Sequence, residues 1–553
     1  MEEILLNKQG KKIILLGNEA IIRGALEAGV NFVSTYPGTP ASEIGDTFFK
    51  IAEKIGVYFE YSTNEKVALE AGIGASFSGL KTLVAMKDFG LNVCLDALGP
   101  FVYTGAKGPT VIIVADDPSC HSSAQWEEGT RAISYLTHIP TLEPADPQEC
   151  KEFVKLAFQI SEKFKIPVMI RTTTRVSHQR ALVILGKIPS SKSKTPKGKF
   201  IKNPTKFVTL PPRVLEMKKE LFEKIERIRE FSEKTKINKV EGNQKSKTGI
   251  ITSAISYLYV KEALKELNLN LPILKIGFFY PSPGKKTKAF IKNLKKVLIV
   301  EELEASLEEW VKGLAKDVNP KLQIFGKDLI PAVGELKPEI VISAISKFTN
   351  CKLKIENSLK IVNLKLKIHK RFPQLCPGCP YWFVFNGIKK AVNIEEVIFG
   401  GDIGCYMLAG LPPHNIQDYL SCMGSSVGIA HGIKKATGQK LITFIGDSTF
   451  FHAGIPALIN TIFNKSNPLI IVMNNQTTAM TGHQPYPGAP AVPNGIKIEN
   501  IVSACGVKNL KVIDPINQKE FISTVKEFLN KKEVSVIIAR RPCIFVKEKY
   551  EKK

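Results

Sequence analysis

The stretches KLITFIGDSTF at residues 440–450 and PLIIVMNN at residues 468–475 decide the fold of the C-terminal part of this chain. Residues 441–445 and 468–473 are short apolar runs typical of buried strands, and residues 449–463 have the pattern of a helix. In a parallel β-α-β unit both strands end at the same edge of the sheet. We therefore expect Asp447 and Asn475 to lie side by side, although they are far apart in the sequence.

A carboxylate and an amide oxygen at this edge suit Mg²⁺, a hard cation that takes phosphate oxygens as further ligands. The main-chain carbonyl of Thr477 is a candidate third ligand. Gly446 lets the backbone approach a diphosphate, and the following helix N-terminus favours negative charge. The GDS turn and the later asparagine pair resemble the cofactor motif of thiamine-diphosphate enzymes. The alternative is an ordinary Rossmann-like unit with a polar turn.

The rest of the chain also alternates strands and helices. Residues 12–185 run through KIILLG, FVSTY, VYFEYS, KTLVAM, TVIIVAD and IPVMIRTTT, with helical patterns between them. This alternation predicts one parallel sheet covered by helices, with KIILLG as its first strand. Residues 186–246 read as a linker with a charged surface helix, and residues 247–350 as a compact α/β unit. A second polar link leads to a third α/β unit at residues 370–553.

Length and composition limit the class of protein. The chain has 553 residues, of which 44% are hydrophobic, so we expect about three domains of a globular enzyme. It has no apolar run of the ~18 residues that span a bilayer and no signal peptide, which favours a cytoplasmic protein and argues against membrane insertion.

The formal net charge is +25, but the lysines are scattered and no basic stretch is interleaved with aromatic residues. The charge therefore indicates a solvated lysine-rich surface rather than nucleic-acid binding. A basic face that steers a small acidic electron carrier is compatible with it.

A thiamine-diphosphate site requires a carboxylic acid beside the aminopyrimidine ring, in a buried setting that favours its protonated form. The segment EYSTNEKVALEAGIGASFSG, residues 60–79, places Glu65 where a strand passes into a helix rich in small residues. The alternative is helix capping, because a carboxylate in the first turn also satisfies the helix dipole.

Cysteine usage points to metal ligation. Of ten cysteines, only Cys376 and Cys379, in CPGCP, have ligand-like spacing. This pair is a zinc knuckle, half of a redox motif, or part of an iron–sulfur site, and a zinc site would need a second close pair. Four thiolates suffice for a [4Fe–4S] cluster, and further candidates are Cys405, Cys422, Cys505 and Cys543.

Seven motifs, in order, resemble the large subunits of indolepyruvate (arylpyruvate):ferredoxin oxidoreductases, of the 2-oxoacid:ferredoxin oxidoreductase family, over residues 12–545. The motifs are YPGTP with NEKVALE, VADDPSCHSSAQ, LCPGCP, GGDIGC, CMGSSVG, GDSTFFHAG and NNQTTAMTGHQPYPG. The resemblance implies an α/β, three-domain thiamine-diphosphate enzyme. Doubly wound parallel-sheet domains bind the pyrimidine at 1–185 and the diphosphate at 370–553, and a transketolase-C-like domain lies at 247–350.

The resemblance also assigns site residues. Glu65 matches the activating glutamate and Thr39 the threonine that contacts the substrate, while Asp447, Asn475 and the Thr477 carbonyl match the Mg²⁺ ligands. The cluster ligands are Cys376, Cys379, Cys405 and Cys543, with Cys422 as the rival fourth. Expected cofactor contacts are Gly38, Gly401, Asp402, Ile403, Gly404, Cys422, Met423, Gly424, Gly446, Asp447, Ser448, Asn475, Met480 and Thr481.

The implied reaction converts an arylpyruvate to its acyl-coenzyme A thioester and CO₂, with electrons leaving through the cluster to ferredoxin. A smaller β-type subunit is the implied partner, in a heterotetramer. Alternatives are another 2-oxoacid substrate, a non-oxidative thiamine-diphosphate decarboxylase, or a catalytically silent scaffold subunit. His121 and His452 are candidates for acid–base groups or for polar pocket residues.

Two features depart from the family pattern. The sequence stops ten residues after Cys543 without a ferredoxin-like domain, so we expect a separate ferredoxin subunit or an external carrier. Tyr381 and Trp382 follow CPGCP where the family often has histidine and arginine, which leaves that contact unassigned.

Overall fold

The computed structural model describes residues 2–189, 198–351, 373–490 and 492–546. The chain divides into two compact units, Met1–Leu359 and Lys360–Lys553, and each is described by itself. Parts of both expected links, and the last seven residues, lie outside the described ranges. Within those ranges no helix combines the length and apolar character needed to traverse a membrane.

The described residues of the first unit form fourteen strands. They are β1 (Lys12–Leu16), β2 (Phe32–Thr35), β3 (Tyr58–Tyr61), β4 (Thr82–Lys87), β5 (Thr110–Asp116), β6 (Thr141–Leu142), β7 (Val168–Thr173), β8 (Arg180–Ile184), β9 (Lys239–Glu241), β10 (Thr248–Ser253), β11 (Ile273–Ile276), β12 (Phe278–Tyr280), β13 (Lys296–Val300) and β14 (Gln323–Phe325).

The helices of this unit cover its sheets. They are α1 (Gly17–Glu27), α2 (Ser42–Ile51), α3 (Glu65–Phe77), α4 (Asp88–Thr104), α5 (Arg131–Thr137), α6 (Pro147–Phe164), α7 (Thr174–His178), α8 (Pro204–Phe207), α9 (Arg213–Lys234), α10 (Ser256–Glu266), α11 (Gly284–Ile291), α12 (Ser306–Val318) and α13 (Pro338–Thr349).

The larger sheet has the strand order β12-β6-β7-β5-β4-β2-β3 and is parallel except at β12. The central strands β4, β5 and β7 are buried almost throughout, which explains their continuous apolar runs. The second sheet has the order β14-β13-β10-β11-β9, in which only β9 is antiparallel.

The predicted place of the first strand was wrong. KIILLG does not join the parallel sheet, because β1 pairs antiparallel with β8 in a separate two-stranded ribbon. Its burial alternates along the strand, with Ile13 and Leu15 buried and Ile14 exposed. A ribbon with one face on the protein and one in solvent has this pattern, which differs from that of a strand covered on both faces.

Buried ion pairs join the two large sheets of the first unit. Arg131 donates hydrogen bonds to Glu143 at 2.7 Å, to Glu301 at 2.5 Å and to Ser253 at 2.5 Å. Glu143 follows β6 of the larger sheet, whereas Ser253 and Glu301 stand at the ends of β10 and β13. A buried guanidinium is tolerated only when it is paired in this way. The contacts therefore fix the position of one sheet relative to the other.

The second unit is a parallel sheet with the strand order β15-β16-β17-β19-β18. Its strands are β15 (Ile398–Gly400), β16 (Leu441–Gly446), β17 (Leu469–Asn474), β18 (Asn509–Ile513) and β19 (Ser535–Arg540). Its helices are α14 (Tyr381–Ala391), α15 (Ser425–Thr437), α16 (Asp447–Thr449), α17 (Ile455–Phe463), α18 (Ile498–Ala504) and α19 (Gln518–Phe528). The single helix predicted over 449–463 is interrupted by a π-helical turn at Phe450–Gly454.

Candidate active site

The ends of β16 and β17 meet at one edge of the sheet, as the sequence predicts. The two strands are parallel neighbours, with Gly446 opposite Met473. Asp447 is buried, and its carboxylate accepts hydrogen bonds from the backbone amides of Ser448 and Gln476, each at 2.8 Å. The aspartate therefore reaches the backbone of the residue directly after Asn475.

The oxygens around Asp447 match the proposed Mg²⁺ ligand set. Asn475 is buried, and its Oδ1 accepts a hydrogen bond from the Thr477 amide at 3.2 Å. The Thr477 carbonyl accepts from the Ala479 amide at 2.9 Å and keeps a second lone pair for a cation.

Burial raises the pKa of Asp447 to about 7, while the Ser448 amide and the Tyr486 side chain act to lower it. A bound divalent cation would hold this carboxylate in its ionised form. The buried acid, the amide oxygen of Asn475 and the adjacent carbonyl of Thr477 therefore fit a hard cation.

Tyr406 braces the turn that precedes Asp447. Its hydroxyl accepts a hydrogen bond from the Gly446 amide at 2.8 Å and donates to the Ile403 carbonyl at 3.0 Å. Thr449 Oγ1 donates to the same carbonyl at 3.0 Å. A Cβ on Gly446 would lie 2.9 Å from the ring of Tyr406, so glycine is the residue that admits this brace.

Asp402 joins two of the sequence motifs, GGDIGC and CMGSSVG. It is fully buried and accepts hydrogen bonds from the amides of Ile403 at 2.7 Å, Gly424 at 2.8 Å and Ser426 at 2.9 Å. Burial raises the pKa of Asp402, while the amides of Gly424 and Ser426 lower it. Both oxygens of Asp402 hold the loop that begins α15.

The remaining residues predicted to contact the cofactor are spread around this edge. The Gly401 amide donates to the Tyr419 carbonyl at 2.8 Å, and Ser448 Oγ accepts from Thr478 Oγ1 at 3.2 Å. Thr481 Oγ1 donates to the Gln484 side chain at 2.7 Å. Gly404 stands just before a short 3₁₀ turn, Met423 lies in a partly buried turn, and Met480 is an exposed residue of the 3₁₀ turn Ala479–Thr481.

Four cysteines of the second unit are neighbours. Burial raises the pKa of Cys379 to about 12, and the thiols of Cys405, Cys543 and Cys376 add to that rise. Burial likewise raises the pKa of Cys405 to about 11, with contributions from Cys543 and Cys376. Cys422 and Cys376 are exposed, whereas Cys379, Cys405 and Cys543 are partly buried. The family resemblance names the four neighbouring cysteines as cluster ligands, and that role stays a prediction.

The cysteine set adjoins the Asp447 site. The backbone amide of Cys543, just beyond β19, donates to the Asn475 carbonyl at 2.9 Å. Among the described residues, no three or more His, Cys, Asp or Glu side chains form a group that could hold a metal ion. A [4Fe–4S] cluster binds each thiolate to a different iron, so its ligands do not converge on a point as those of one ion do.

The residues that depart from the family pattern brace the CPGC turn. Tyr381 donates a hydrogen bond to the Met473 carbonyl at 3.2 Å, at the end of β17. Trp382 Nε1 donates to the Cys376 carbonyl at 3.2 Å, and its ring packs 4.5 Å from that of His414. Both side chains therefore connect the cysteine turn to the sheet and its loops.

Glu65 lies in the first unit, at the start of α3. It is 6% exposed, and Asn64 caps the helix by accepting from the Val67 amide at 2.8 Å. A Cβ on Gly90 would lie 2.5 Å from Glu65 Cγ. The missing side chain of Gly90, near the start of α4, thus makes room for the buried glutamate.

Thr39 lies in the loop that follows β2, with its hydroxyl 3.2 Å from the Ser42 hydroxyl. A Cβ on Gly38 would lie 2.9 Å from Lys87 Cγ, so this loop packs on the lysine at the end of β4. Of the two histidines, His121 has Nε2 3.5 Å from Glu335 and a half-exposed side chain, whereas His452 is buried in the π-helical turn.

Each of the two units contains a match to a family of thiamine-diphosphate-binding domains. Residues 402–539 match the family described as thiamine pyrophosphate enzyme, C-terminal TPP binding domain. Residues 23–240 match the family described as pyruvate flavodoxin/ferredoxin oxidoreductase, thiamine diphosphate-binding. A 2-oxoglutarate:ferredoxin oxidoreductase from Magnetococcus marinus, solved with 2-oxoglutarate, coenzyme A and succinyl-CoA bound, shares the fold with a TM-score of 0.50 at 18% identity, over 61% of this chain and 65% of that one.

Fold and domain matches define the class, a thiamine-diphosphate-dependent oxidoreductase of 2-oxoacids. The indolepyruvate oxidoreductase subunit IorA of Pyrococcus horikoshii is 44% identical over 98% of this chain and 87% of its own length. The corresponding subunit of Methanothermobacter thermautotrophicus is 42% identical over 98% of this chain and 89% of its own length. The chain belongs to the indolepyruvate oxidoreductase subunit IorA family.

Sequence reasoning missed three residues of the site. Tyr406 braces Gly446, the Tyr486 side chain lowers the pKa of Asp447, and Lys87 packs on the Thr39 loop. Tyr406 directly follows the motif GGDIGC, and Tyr486 lies inside NNQTTAMTGHQPYPG. Lys87 ends a buried strand, which is the position where ligand-binding residues collect in parallel sheets.

Proposed function

We propose that this chain carries out the oxidative decarboxylation of aryl 2-oxoacids such as indolepyruvate, to the acyl-coenzyme A thioester and CO₂. Electrons leave through a [4Fe–4S] cluster to ferredoxin. One observation carries the proposal, which is the hydrogen bond of the Cys543 amide to the Asn475 carbonyl. This contact of one proposed cluster ligand with one proposed Mg²⁺ ligand supports a redox centre that would adjoin the carbon chemistry.

The cofactor would be held by residues at the ends of β16 and β17. Asp447, Asn475 and the Thr477 carbonyl would hold Mg²⁺, and Gly446 would let the backbone approach the diphosphate. When bound, thiamine diphosphate supplies the carbon nucleophile and the electron sink that decarboxylation needs. The Tyr406 and Asp402 contacts keep the surrounding loops in place, so this chain contributes positioning and exclusion of water.

Glu65 would hold a proton against the aminopyrimidine nitrogen, and its burial beside Gly90 supports this role. Thr39 would contact the substrate from the loop after β2. The cofactor contacts proposed for Gly38, Gly401, Ile403, Met423, Met480 and Thr481 stay predictions of the family resemblance.

The cysteines separate this proposal from its main rival. A non-oxidative decarboxylase would use Glu65, Asp447 and Asn475 in the same way and would have no use for four neighbouring thiols. We propose Cys376, Cys379, Cys405 and Cys543 as the cluster ligands. The mutual electrostatic effects of these thiols support this set.

Coenzyme A and partner proteins complete the proposal. The structural neighbour was solved with coenzyme A and succinyl-CoA, and the relatives are named as subunits, which supports a thioester product and a smaller partner subunit. We propose a heterotetramer that delivers electrons to ferredoxin or a ferredoxin-like subunit.

The test is an anaerobic assay of the chain co-expressed with its neighbouring small subunit. We expect ferredoxin reduction that requires indolepyruvate, coenzyme A, thiamine diphosphate and Mg²⁺ together. Parallel reactions with 2-oxoglutarate and pyruvate would show whether aryl substrates are preferred. Release of CO₂ without ferredoxin reduction, in protein that lacks iron, would instead establish the non-oxidative decarboxylase.

A further inference from the structure

Lys87 occupies a position in the first unit that the proposed function does not yet use. It is the last residue of β4, which lies between β2 and β5 in the parallel sheet. In such sheets ligands bind in the crevice outside the carboxyl ends of the strands. The loop after β2 contains Thr39, and the loop after β5 contains Ser123, so the lysine stands between two loops of that crevice.

Contacts tie the lysine to both loops. Its Cγ would lie 2.9 Å from a Cβ on Gly38, next to Thr39, so the aliphatic stem packs on the first loop. Its Nζ donates a hydrogen bond to Ser123 Oγ at 2.5 Å, and that hydroxyl donates to Asp117 Oδ2 at 2.8 Å. The lysine precedes α4, whose Gly90 makes room for Glu65.

Lys87 has carboxylates around it but no close ion pair within the part of the chain that the structure describes: it lowers the pKa of Asp88 and of Glu128, and it reaches Asp117 only through Ser123. Its side chain is only 13% exposed, and its one ion pair there is a 3.8 Å contact with Asp88. The Asp88 oxygens already accept from the amides of Phe89 at 2.8 Å and Asp117 at 3.2 Å. Burial also raises the pKa of Asp88 to about 7, so it is a weak counter-charge near neutral pH. A largely buried ammonium in this setting gains from an external anion.

The second loop is held in an unusual backbone conformation. Ser119 and Cys120 are consecutive non-glycine residues at φ values of 65° and 50°. The Glu335 amide donates to Ser119 Oγ at 2.7 Å, and Glu127 accepts from the Gly334 amide at 3.0 Å. Strain that the surrounding structure imposes is typical of ligand-binding loops. Here the loop presents the hydroxyl of Ser123 to Lys87.

We propose that Lys87 Nζ, which Ser123 Oγ holds in place, binds the carboxylate of the 2-oxoacid substrate. This inference rests on the proposed function, because it concerns the substrate of that reaction. Lys87 acts by fixing the substrate carboxylate through a charge-assisted hydrogen bond, and Thr39 and Glu65 lie on the flanking elements. The ammonium would select 2-oxoacids over their neutral esters.

The test compares Lys87→Met and Lys87→Arg in the complete enzyme with its partner subunit. We expect Lys87→Met to raise the KM for indolepyruvate about 10- to 100-fold and to change kcat far less, as loss of one charge-assisted hydrogen bond does. Lys87→Arg should recover most of the lost affinity. The matched control is Lys66→Met, whose exposed side chain lies on α3, and it should leave KM unchanged.

A second readout separates recognition from a structural role. The wild-type enzyme should prefer indolepyruvate to its methyl ester, and Lys87→Met should lose that preference while the KM for coenzyme A stays constant. A raised KM for coenzyme A alone would overturn the proposal in favour of a phosphate-binding role. Unchanged KM values and an intact preference for the acid would also overturn it.

Equilibrium dialysis of indolepyruvate against the wild-type and Lys87→Met complexes distinguishes this inference from the proposed function. One outcome is that Lys87→Met weakens the binding of indolepyruvate while the wild-type enzyme shows no turnover. That outcome would support the carboxylate site and count against the proposed reaction. Turnover by the wild type, together with equal binding to both proteins, would uphold the reaction and overturn the carboxylate site.

Discussion

The phenol of Tyr406 accepts a hydrogen bond from the backbone amide of Gly446 at 2.8 Å, and it thereby joins the GDIGC segment to the GDS turn. The same hydroxyl donates to the Ile403 carbonyl at 3.0 Å, so one side chain fixes two loops that carry predicted cofactor contacts. Its ring also fills the space that a Cβ on Gly446 would need. The proposed site for Mg²⁺ and the diphosphate therefore depends on Tyr406, which is not a proposed contact of either group.

Replacing Tyr406 with phenylalanine removes both hydrogen bonds and leaves the Gly446 amide buried without this partner. We expect a loss of about 1–3 kcal/mol in the free energy of unfolding and weaker thiamine-diphosphate binding. Urea unfolding and cofactor titration measure the two effects. Tyr58→Phe on the exposed strand β3 is the matched control and should change neither. Equal behaviour of the two variants would contradict the brace.

Asp402→Asn tests the loop that begins α15. The asparagine side chain keeps one acceptor oxygen, but its NH₂ group faces a backbone amide that donates to the carboxylate in the wild type. We therefore expect the free energy of unfolding to fall by about 2–3 kcal/mol. Asp514→Asn, half-exposed and paired with Arg541, should cost less than about 0.5 kcal/mol. If Asp402→Asn unfolds at the wild-type urea concentration, the carboxylate does not hold this loop.

Glu302 gives the first unit a pH dependence of stability. Burial raises its pKa to about 7, while the Leu336 amide and the guanidinium of Arg171 act in the opposite direction. Because the folded protein binds this proton more tightly than the unfolded chain, the carboxyl stabilises the fold at pH below about 4, and that contribution is lost as the pH rises towards about 7.

Glu302→Gln should therefore be more stable than the wild type at pH 8, by roughly 1–3 kcal/mol, and should show a flatter stability profile between pH 5 and pH 8. Glutamine can still accept from the Leu336 amide, which now donates to Glu302 at 3.1 Å. Urea unfolding at the two pH values measures the difference, with exposed Glu309→Gln as the control. A variant that is less stable at pH 8 would show that the ionised carboxylate is needed.

Cysteine variants decide the fourth cluster ligand. We expect Cys543→Ser to lose most of the iron and acid-labile sulfide of the anaerobically purified protein, because this thiol neighbours Cys379 and Cys405. Cys422→Ser and the control Cys505→Ser should retain both. Loss of iron in Cys422→Ser, with retention in Cys543→Ser, would reverse the assignment.

Glu65→Gln isolates the activating acid. Glutamine keeps the size of the side chain and removes the proton that the acid would share, so we expect kcat to fall about 10²- to 10⁴-fold while thiamine diphosphate still binds. Glu70→Gln, exposed on the same helix, should have wild-type activity. Full turnover by Glu65→Gln would leave this glutamate as a helix-capping residue.

The sequence predicted the local elements better than their long-range partners. Periodicity placed the strands around Asp447 and Asn475 and their shared edge correctly, because parallel β-α-β geometry is decided within a short segment. It could not predict that β1 pairs with β8, or that β12 adds to the larger sheet, because those pairings depend on residues distant in sequence. Residues 13–16 are all apolar, so the alternating burial that separates Ile13 from Ile14 is not visible in the sequence.

For the candidate site, too, the sequence predicted single residues better than the contacts between distant ones. The family motifs named Asp402, Asp447 and the four cysteines, and the structure gives each of them a set of neighbours. Tyr406 and Lys87 each pack against a glycine of another motif, Gly446 and Gly38. The sequence shows the glycine, but it does not show which distant side chain occupies the space beside it. Such complementary pairs become visible only when the loops are placed together.

The most direct test of the central claim is the electron paramagnetic resonance spectrum of the anaerobic complex after indolepyruvate, thiamine diphosphate, Mg²⁺ and coenzyme A are added. The account predicts a substrate-induced radical and a reduced [4Fe–4S] signal, and the loss of the cluster signal in Cys376→Ala. Iron-free wild-type protein that still releases CO₂ from indolepyruvate would contradict the oxidative route and leave only the thiamine-diphosphate site standing.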